Sequence, residues 1–266
     1  MVALDYKIPI IDRHQYAGSY RNIPVDPDAS LFHEPLIKLE SVNVAFECYY
    51  AKTDGKNPPY YRPIEGSRQD VWSRKSVAEK LANVNNRLRP FGVELFVLDG
   101  YRPIECQRGL WNFYYAKAKQ EMPNGSEQER RAHAKEHITE PEPFDPLDSR
   151  TWPTHTTGAA VDLTLRDLVS GKLVDMGSNF VEITDISYND YFERQLAKGL
   201  INEDDKRLQN RRLLHWAMNQ EGFLNDPFVF WHYDWGNQLY VKVRRALFAD
   251  APKAAWYGYV EPPMEE

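Results

Sequence analysis

The stretch VELFVLDGYRP (93–103) predicts a buried strand that ends at an Asp-Gly turn signal. Helical patterns flank this strand on both sides. Before it, apolar residues recur at three- and four-residue spacing over 76–88, and Ser76 with Glu79 forms a possible capping box. After it, a second helix is expected over about 104–120. The segment is therefore read as a sheet strand between two helices.

Working outward, other patterns predict further elements. These are a strand at 42–51, a strand at 158–167 with a hairpin turn at 170–173, a helix at 205–223 and a final strand in FVFWHYDWG (228–236). Strands separated by helices, with a hairpin signal late in the chain, are typical of α+β folds. We expect a single α+β domain with a mostly antiparallel sheet flanked by helices around a central cleft.

The composition of the segments predicts how the chain is organised. Residues 1–40 mix short apolar runs with prolines and are expected to form an irregular lead-in that packs on the domain. The domain itself is expected over 41–250, and residues 251–266 are expected to be a tail. Residues 121–150 are polar and rich in proline, so we expect an exposed insertion there with one short helix.

Overall charge and apolar content exclude several classes of protein. The 266 residues carry a formal net charge of -6 with a pI of about 5.7, which argues against a nucleic-acid partner. No apolar run approaches the length of a membrane span, and no membrane partner is expected. Two cysteines, Cys48 and Cys106, do not make a disulfide framework. The expectation is a cytoplasmic protein.

Two histidines and one aspartate form the strongest candidate for a metal site. His155 and Asp162 lie seven residues apart in THTTGAAVDLTL, and Gly158 between them permits a tight turn. His232, on the predicted last strand, is the natural third ligand. An imidazole and carboxylate set of this kind suits zinc or another divalent transition metal. From spacing alone the alternative stays open that His155 and His232 are structural histidines.

The other histidines are weaker candidates. His133 and His137 form HAKEH, which fits the H-x-x-E-H template of one class of zinc peptidase. Their flanks lack the apolar stripe that would bury such a helix, so a metal site is not expected there. His215 lies on an amphipathic helix and is expected to pack in the core. His14 and His33 have no partner pattern in sequence.

At this point five segments resemble a known family. DGYRP (99–103), HTTGAAVDLTL (155–165), DMGSNF (175–180), NRRLLHWAM (210–218) and FWHYDWG (230–236) follow the order and spacing of the D-alanyl-D-alanine dipeptidases. These are zinc peptidases of the vancomycin-resistance type, related to D,D-carboxypeptidases and to the Hedgehog signalling domain. The resemblance covers residues 40 to 245, apart from the insertion.

The resemblance implies a set of site residues. The zinc ligands would be His155, Asp162 and His232, and Arg102 would be the cation that stabilises the developing oxyanion. A buried salt bridge between Arg102 and Asp99 is the alternative for that residue. Substrate contacts are expected from five residues around the cleft, which are Tyr101, Thr154, Val181, Val229 and Trp231.

Two departures from the family pattern concern the chemistry itself. The family has a general-base Glu where this chain has Val229, and an ammonium-binding Asp where it has Val181. A valine cannot accept a proton, and acid–base help is worth about two to four orders of magnitude in rate. Asp234 has the same strand parity as His232 and is a candidate replacement, although a salt bridge within the sheet would explain it equally well. Further candidates are Tyr233, Glu221 and Glu182.

Three classes of function follow from this sequence. The first is a zinc dipeptidase or amidase acting on a small dipeptide-like substrate with a replaced base. The second is a metalloenzyme of changed chemistry on a small metabolite, and ferrous iron is the alternative metal because two histidines and one carboxylate also bind non-haem iron. The third is a catalytically silent binding module.

Overall fold

The computed structural model describes residues 5–12, 16 and 18–263. The described helices and strands follow one another in a fixed order. They are β1 Leu36–Lys38, β2 Ala45–Phe46, β3 Trp72–Arg74, α1 Lys75–Leu88, β4 Val93–Asp99, α2 Ile104–Glu121, α3 Glu127–Lys135, β5 Ala160–Asp167, α4 Tyr191–Ala197, α5 Lys206–Gln220, β6 Leu224–Asn225, β7 His232–Asp234 and α6 Gln238–Leu247.

The main sheet has the strand order β2-β4-β5-β7-β6. All its neighbours are antiparallel except β2 and β4, so the predicted α+β fold with a mostly antiparallel sheet is confirmed. The register sets Asp99 opposite Asp162 and Asp162 opposite His232. Side chains of directly paired residues lie on the same face of a sheet. The register therefore aligns these three side chains in one row across β4, β5 and β7.

The amphipathic pattern of α1 explains how the core forms. Its apolar positions Val77, Leu81, Val84 and Leu88 are all fully buried, and α1 packs against β4. Burial of one such side chain is worth about 1.5–3 kcal/mol. The predicted capping box is wrong, because Ser76 donates its hydroxyl to a carboxylate of the lead-in and no side chain caps the helix.

Two predicted strands are much shorter than expected. Within 42–51 only β2 is extended, because Asn43 adopts a left-handed conformation (φ 56°) between β2 and a preceding 3₁₀ turn. In 228–236 only β7 is extended, because the residues before it form a loop rather than pair with the sheet. This strand is also not the last element, since α6 follows it with Asn237 as its N-cap.

Arg74, at the end of β3, ties distant parts of the chain together. Its buried guanidinium donates to the carbonyls of Thr157 (2.8 Å) and Gly258 (2.9 Å), and to two carbonyls of the lead-in, at Phe32 (3.2 Å) and Glu34. These bonds join the lead-in, the turn before β5 and the C-terminal tail. The tail also donates from the Val260 amide to the carbonyl of Thr156 (3.2 Å).

The insertion is less exposed than its composition predicts. The short helix expected there is α3, which begins with a capping box of Ser126 and Glu129. The residues that follow pack on α2: Ala134 is fully buried, the ring of His137 stacks on Tyr114 with centroids 4.7 Å apart, and Gln107 donates to the carbonyl of Thr139 (2.7 Å). Composition alone does not reveal these contacts.

The cysteines and the helices bear on two further expectations. Cys48 and Cys106 are both buried free thiols. Among the described helices, none combines the length and the apolar character needed to cross a bilayer.

Candidate metal centre

The backbone around β5 brings two of the predicted ligands together. His155 lies in a 3₁₀ turn over Thr154–Thr157, and Gly158 ends that turn in a left-handed conformation (φ 69°) before the chain enters β5. Asp162 follows on β5, and β7 places His232 directly opposite it. Three segments that are far apart in sequence therefore meet at one point.

The ligand atoms of these residues converge closely. His155 Nε2 lies 3.2 Å from His232 Nδ1 and 3.4 Å from Asp162 Oδ2, while His232 Nδ1 lies 2.9 Å from Asp162 Oδ1. All three side chains are buried, with 5%, 8% and 3% of their surface exposed for His155, His232 and Asp162. Ligands of a tetrahedral zinc ion, bound at about 2.0–2.2 Å, are separated by about 3.3 Å. The spacing fits such an ion.

The hydrogen bonds behind the histidines decide which nitrogens carry protons. His155 Nδ1 donates to the carbonyl of Gly100 (2.8 Å), which leaves Nε2 as a bare lone pair when the ring is neutral. His232 Nε2 lies 3.0 Å from Asp234 Oδ2, although the alignment is too bent for a regular hydrogen bond. With a proton on Nε2, the Nδ1 atom of His232 is also a lone pair. Two imidazole lone pairs and a carboxylate then face each other, which is a donor set that requires a cation.

The charges of these groups point the same way. Burial raises the pKa of Asp162, but the adjacent His155 and His232 outweigh it and the net pKa is lowered, so the carboxylate is ionised. Burial lowers the pKa of His232, but Asp234 and Asp162 together raise it well above its ordinary value. Either effect means that positive charge is strongly favoured at this point.

Arg102 lies beside the three ligands and is fully engaged. Its guanidinium contacts Asp99 Oδ2 (2.6 Å from Nη2 and 2.8 Å from Nε), Gln107 Oε1 (2.8 Å) and Asp162 Oδ2 (3.4 Å), and it lies 4.9 Å from the ring centre of Tyr50. The salt bridge with Asp99 that the sequence left open is therefore present. Arg102 nevertheless also lines the cavity in front of the ligands.

That cavity, which we call the front cavity, has a volume of about 320 Å³. Its lining includes the three ligands and four of the five residues expected to contact substrate, namely Thr154, Val181, Val229 and Trp231. Val181 is a β-branched residue at φ 60°, a backbone conformation that is costly for such a side chain. Tyr101 does not line this cavity, because its side chain turns toward the tail and its hydroxyl donates to the carbonyl of Val260 (3.1 Å).

The acid–base candidates from sequence lie elsewhere. Asp234 does contact His232, as its strand parity predicts, but it is fully buried behind the ring and accepts a hydrogen bond from Asn237. Glu182 accepts from the amide of Asn179, Glu221 pairs with Arg87, and Tyr233 is fully buried. None of these four side chains lines the front cavity.

Sequence reasoning missed two carboxylates that do line it. Asp226 comes from the loop between β6 and β7, and Glu136 comes from the insertion. Burial raises the pKa of Asp226. The signal for Asp226 is its place in a turn-forming Asn-Asp-Pro segment three residues before Val229, but no local pattern shows that this turn faces the site.

The remaining histidines have diverse surroundings. His14 lies outside the described residues. His33 packs edge-on against Phe32, and His215 is buried as predicted. His133 lies 3.2 Å from Glu136 and 2.9 Å from Glu121, and His137 is close by, so a second histidine–carboxylate group exists at the partly exposed end of α3.

Comparison with known proteins identifies the family. The model of the D-ala-D-ala dipeptidase family, Peptidase_M15, matches residues 63–249. A D-alanyl-D-alanine dipeptidase of Synechocystis is 31% identical over 176 residues, which cover 63% of this chain and 70% of that protein. One from Enterococcus faecalis is 29% identical over 65% of this chain and 77% of its own. A solved structure of the vancomycin-resistance D,D-pentapeptidase VanY in complex with Zn(II) aligns at 15% identity and a TM-score of 0.35, covering 69% of this chain and 83% of VanY. The match over most of the chain shows that this protein belongs to the D-Ala-D-Ala dipeptidase family.

Proposed function

We propose that this protein is a zinc-dependent hydrolase that cleaves the amide bond of a small dipeptide-like substrate. His155, Asp162 and His232 would hold the metal. The observation that carries the proposal is the convergence of three unprotonated donor atoms at 2.9–3.4 Å in a buried setting. Zinc is favoured over iron because the zinc peptidases that the chain resembles use this ligand set.

A bound zinc ion would supply a coordinated water of lowered pKa and a Lewis acid for the substrate carbonyl. The chain's own residues prepare the ligands for this. The Gly100 carbonyl fixes the ring of His155, and Asp234 holds the ring of His232, so both rings present lone pairs. Arg102 balances the negative charge of Asp99 and Asp162 and keeps a fixed positive field at the cavity wall, where an oxyanion would develop.

Asp226 is our candidate for the missing acid–base group. It lines the front cavity three residues before Val229, and its amide donates to the carbonyl of His232 (3.0 Å), so its loop is attached to the ligand strand. Burial raises its pKa, which brings a carboxyl group closer to the range useful for proton transfer near neutral pH. Glu136 lies at the partly exposed insertion and is less suited to this role.

The cavity limits the substrate to a small molecule. Its volume of about 320 Å³ is at the low end for ligand sites, and Val181, Val229 and Trp231 give it an uncharged wall. Relatives carry the name D-alanyl-D-alanine dipeptidase, so D-Ala-D-Ala is the first substrate to test. A valine at 181 favours substrates whose group at that wall is uncharged.

A second candidate function rests on the same two valines. Because both replace charged residues of the family pattern, a metalloenzyme with altered, non-hydrolytic chemistry would retain the ligands and lose the base. Such an enzyme would be expected to bind ferrous iron as well as zinc. A cytoplasmic location is part of both proposals, as is the absence of nucleic-acid and membrane partners.

The test starts with metal analysis of the purified full chain and a screen of D-Ala-D-Ala and other dipeptides. We expect one zinc per chain, its loss in His155→Ala, and its retention in the matched control His133→Ala. Asp226→Asn should lower cleavage at least about 100-fold, whereas Glu136→Gln should not. A chain that binds no divalent metal would overturn both candidates; a zinc-bound chain that cleaves no dipeptide would overturn the hydrolase and leave the second candidate.

A further inference from the structure

A second cavity lies apart from the metal centre. It has a volume of about 160 Å³ and is enclosed by the lead-in segment 6–11, the helices α5 and α6, and the strand β6; we call it the back cavity. The loop at 225–228 forms the wall between the two cavities. Asn225 and Pro227 line the back cavity, while Asp226 and Phe228 line the front one.

Most of the surface of the back cavity is apolar. The apolar side chains that line it come from the lead-in, from the residues around β6 and from the end of α6: Ile8, Ile11, Phe223, Leu224, Leu247 and Phe248. Apolar cavities of about 150 Å³ can hold a molecule as large as benzene. The back cavity is therefore large enough for a single six-membered ring.

The charged side chains at this cavity already have partners. Asp190 accepts from Arg194 (2.9 Å) and from the amide of Ile11 (3.2 Å), and Arg244 pairs with Asp250 (2.9 Å). A charged ligand would have to compete with these pairs and lose its own hydration. The lining therefore favours an uncharged molecule.

His215, on α5, supplies a free hydrogen-bonding atom. It is 6% exposed, and its Nδ1 lies 3.2 Å from Asn189 Nδ2. An amide NH₂ group only donates, so Nδ1 accepts, and the neutral ring carries its proton on Nε2. Burial lowers the pKa of His215 to about 4, so the ring is neutral near pH 7. Among the described residues, Nε2 has no hydrogen-bond partner, although His215 lines the cavity.

We propose that the back cavity is a binding site for a small, uncharged, mostly apolar molecule with one hydrogen-bond acceptor, of the size and polarity of a phenol. The ring of the ligand fills the space between α5, α6 and the lead-in. Its oxygen accepts the Nε2 proton of His215. This binding is independent of the proposed function, because it requires neither metal nor turnover.

The position of the site gives its ligand a route to the metal centre. The side-chain amide of Asn225 donates to the carbonyls of Val229 (3.0 Å), Phe230 (3.2 Å) and His232 (2.9 Å). A ligand that contacts Asn225 and Pro227 therefore presses on the same loop that carries Asp226. Occupancy of the back cavity would be sensed where the front cavity meets its substrate.

The test compares phenol and benzene as probes on the purified full chain, by calorimetric titration and saturation-transfer NMR. We expect saturable binding of both, with phenol tighter by about threefold to tenfold, the share of one neutral hydrogen bond. His215→Leu should remove that preference and keep benzene binding, whereas the control His33→Leu should leave both unchanged. Leu247→Trp should fill the cavity and abolish both.

Three results would overturn the proposal. One is that neither probe saturates the wild-type protein. Another is that Leu247→Trp, which changes only a half-buried wall residue, binds both probes as well as the wild type does. The third is that phenol is preferred equally in wild type and in His215→Leu, which would remove the role assigned to His215. Leu247→Trp keeps the test decisive if His215→Leu does not fold.

Discussion

Replacing Gly158 with alanine is expected to damage both stability and metal binding. Gly158 has φ 69°, and a Cβ there would collide with a side-chain methyl of Leu36 on β1 and come within 3.5 Å of Arg74. The left-handed conformation costs an ordinary residue about 1–2 kcal/mol. Forcing a methyl into a packed contact costs about 1–3 kcal/mol more. The expected loss in the free energy of unfolding is therefore about 2–5 kcal/mol.

A matched control separates the two contributions. Gly171, in the hairpin turn after β5, has nearly the same φ of 67°, but a Cβ there would meet nothing within 4 Å. Gly171→Ala should therefore lose only the conformational part, about 1–2 kcal/mol. Urea unfolding of the two variants and the wild type gives both values from the shift in midpoint at constant slope.

Metal binding provides the second measurement. The amide of Gly158 donates to the carbonyl of His155 (3.2 Å), and its carbonyl accepts from Arg74 (2.8 Å), so a shift at Gly158 displaces the turn that carries a ligand. We expect weaker zinc binding in Gly158→Ala and unchanged binding in Gly171→Ala. Equal losses of stability in the two variants, or unchanged zinc affinity in both, would refute the reasoning.

Three further predictions follow from the same geometry. Arg102→Met leaves Asp99 buried without its partner and should lower the free energy of unfolding by about 3–5 kcal/mol, whereas Arg108→Met, which breaks an exposed pair, should cost about 1 kcal/mol or less in the same urea assay. Val229→Glu should raise D-Ala-D-Ala cleavage by about 100-fold or more over wild type and Val229→Gln should not, so equal rates in the two variants would contradict a missing base. His215 has its folded pKa lowered to about 4, so only the unfolded chain takes up this proton between pH 6.5 and 4, and stability falls as the pH drops. Between pH 7 and 5 the loss from this group is on the order of 2 kcal/mol, and His215→Leu should lose that much less over the same range; an identical pH slope would contradict it.

Regular elements with a strong period were predictable from the sequence. The apolar spacing at Val77, Leu81, Val84 and Leu88 predicts α1 because the same residues that define the period are the ones buried against β4. The strand at 42–51 failed since its residues favour β structure locally, while Asn43 takes a left-handed turn that local preference does not reveal. Packing against the rest of the chain decides such cases.

The metal-site residues were more predictable than their surroundings. His155, Asp162 and His232 could be grouped because ordered motifs constrain all three at once. Tyr101 could not be oriented from sequence, since the register of β4 shifts between Val97 and Asp99 and the chain then leaves the strand toward the tail. Asp226 and the insertion reach the front cavity only through contacts between distant segments, which a single sequence does not encode as a visible pattern.

The hydrogen bonds of Arg74 have a practical consequence for anyone who shortens this protein. The family match spans 63–249, yet the guanidinium is held by carbonyls at Phe32, Glu34 and Gly258, all beyond those limits. A recombinant fragment trimmed to the matched span would leave a buried cation facing lost partners and loosen the turn that carries His155. The flanking segments are therefore part of the smallest piece worth expressing, and tags are better joined through a spacer beyond them.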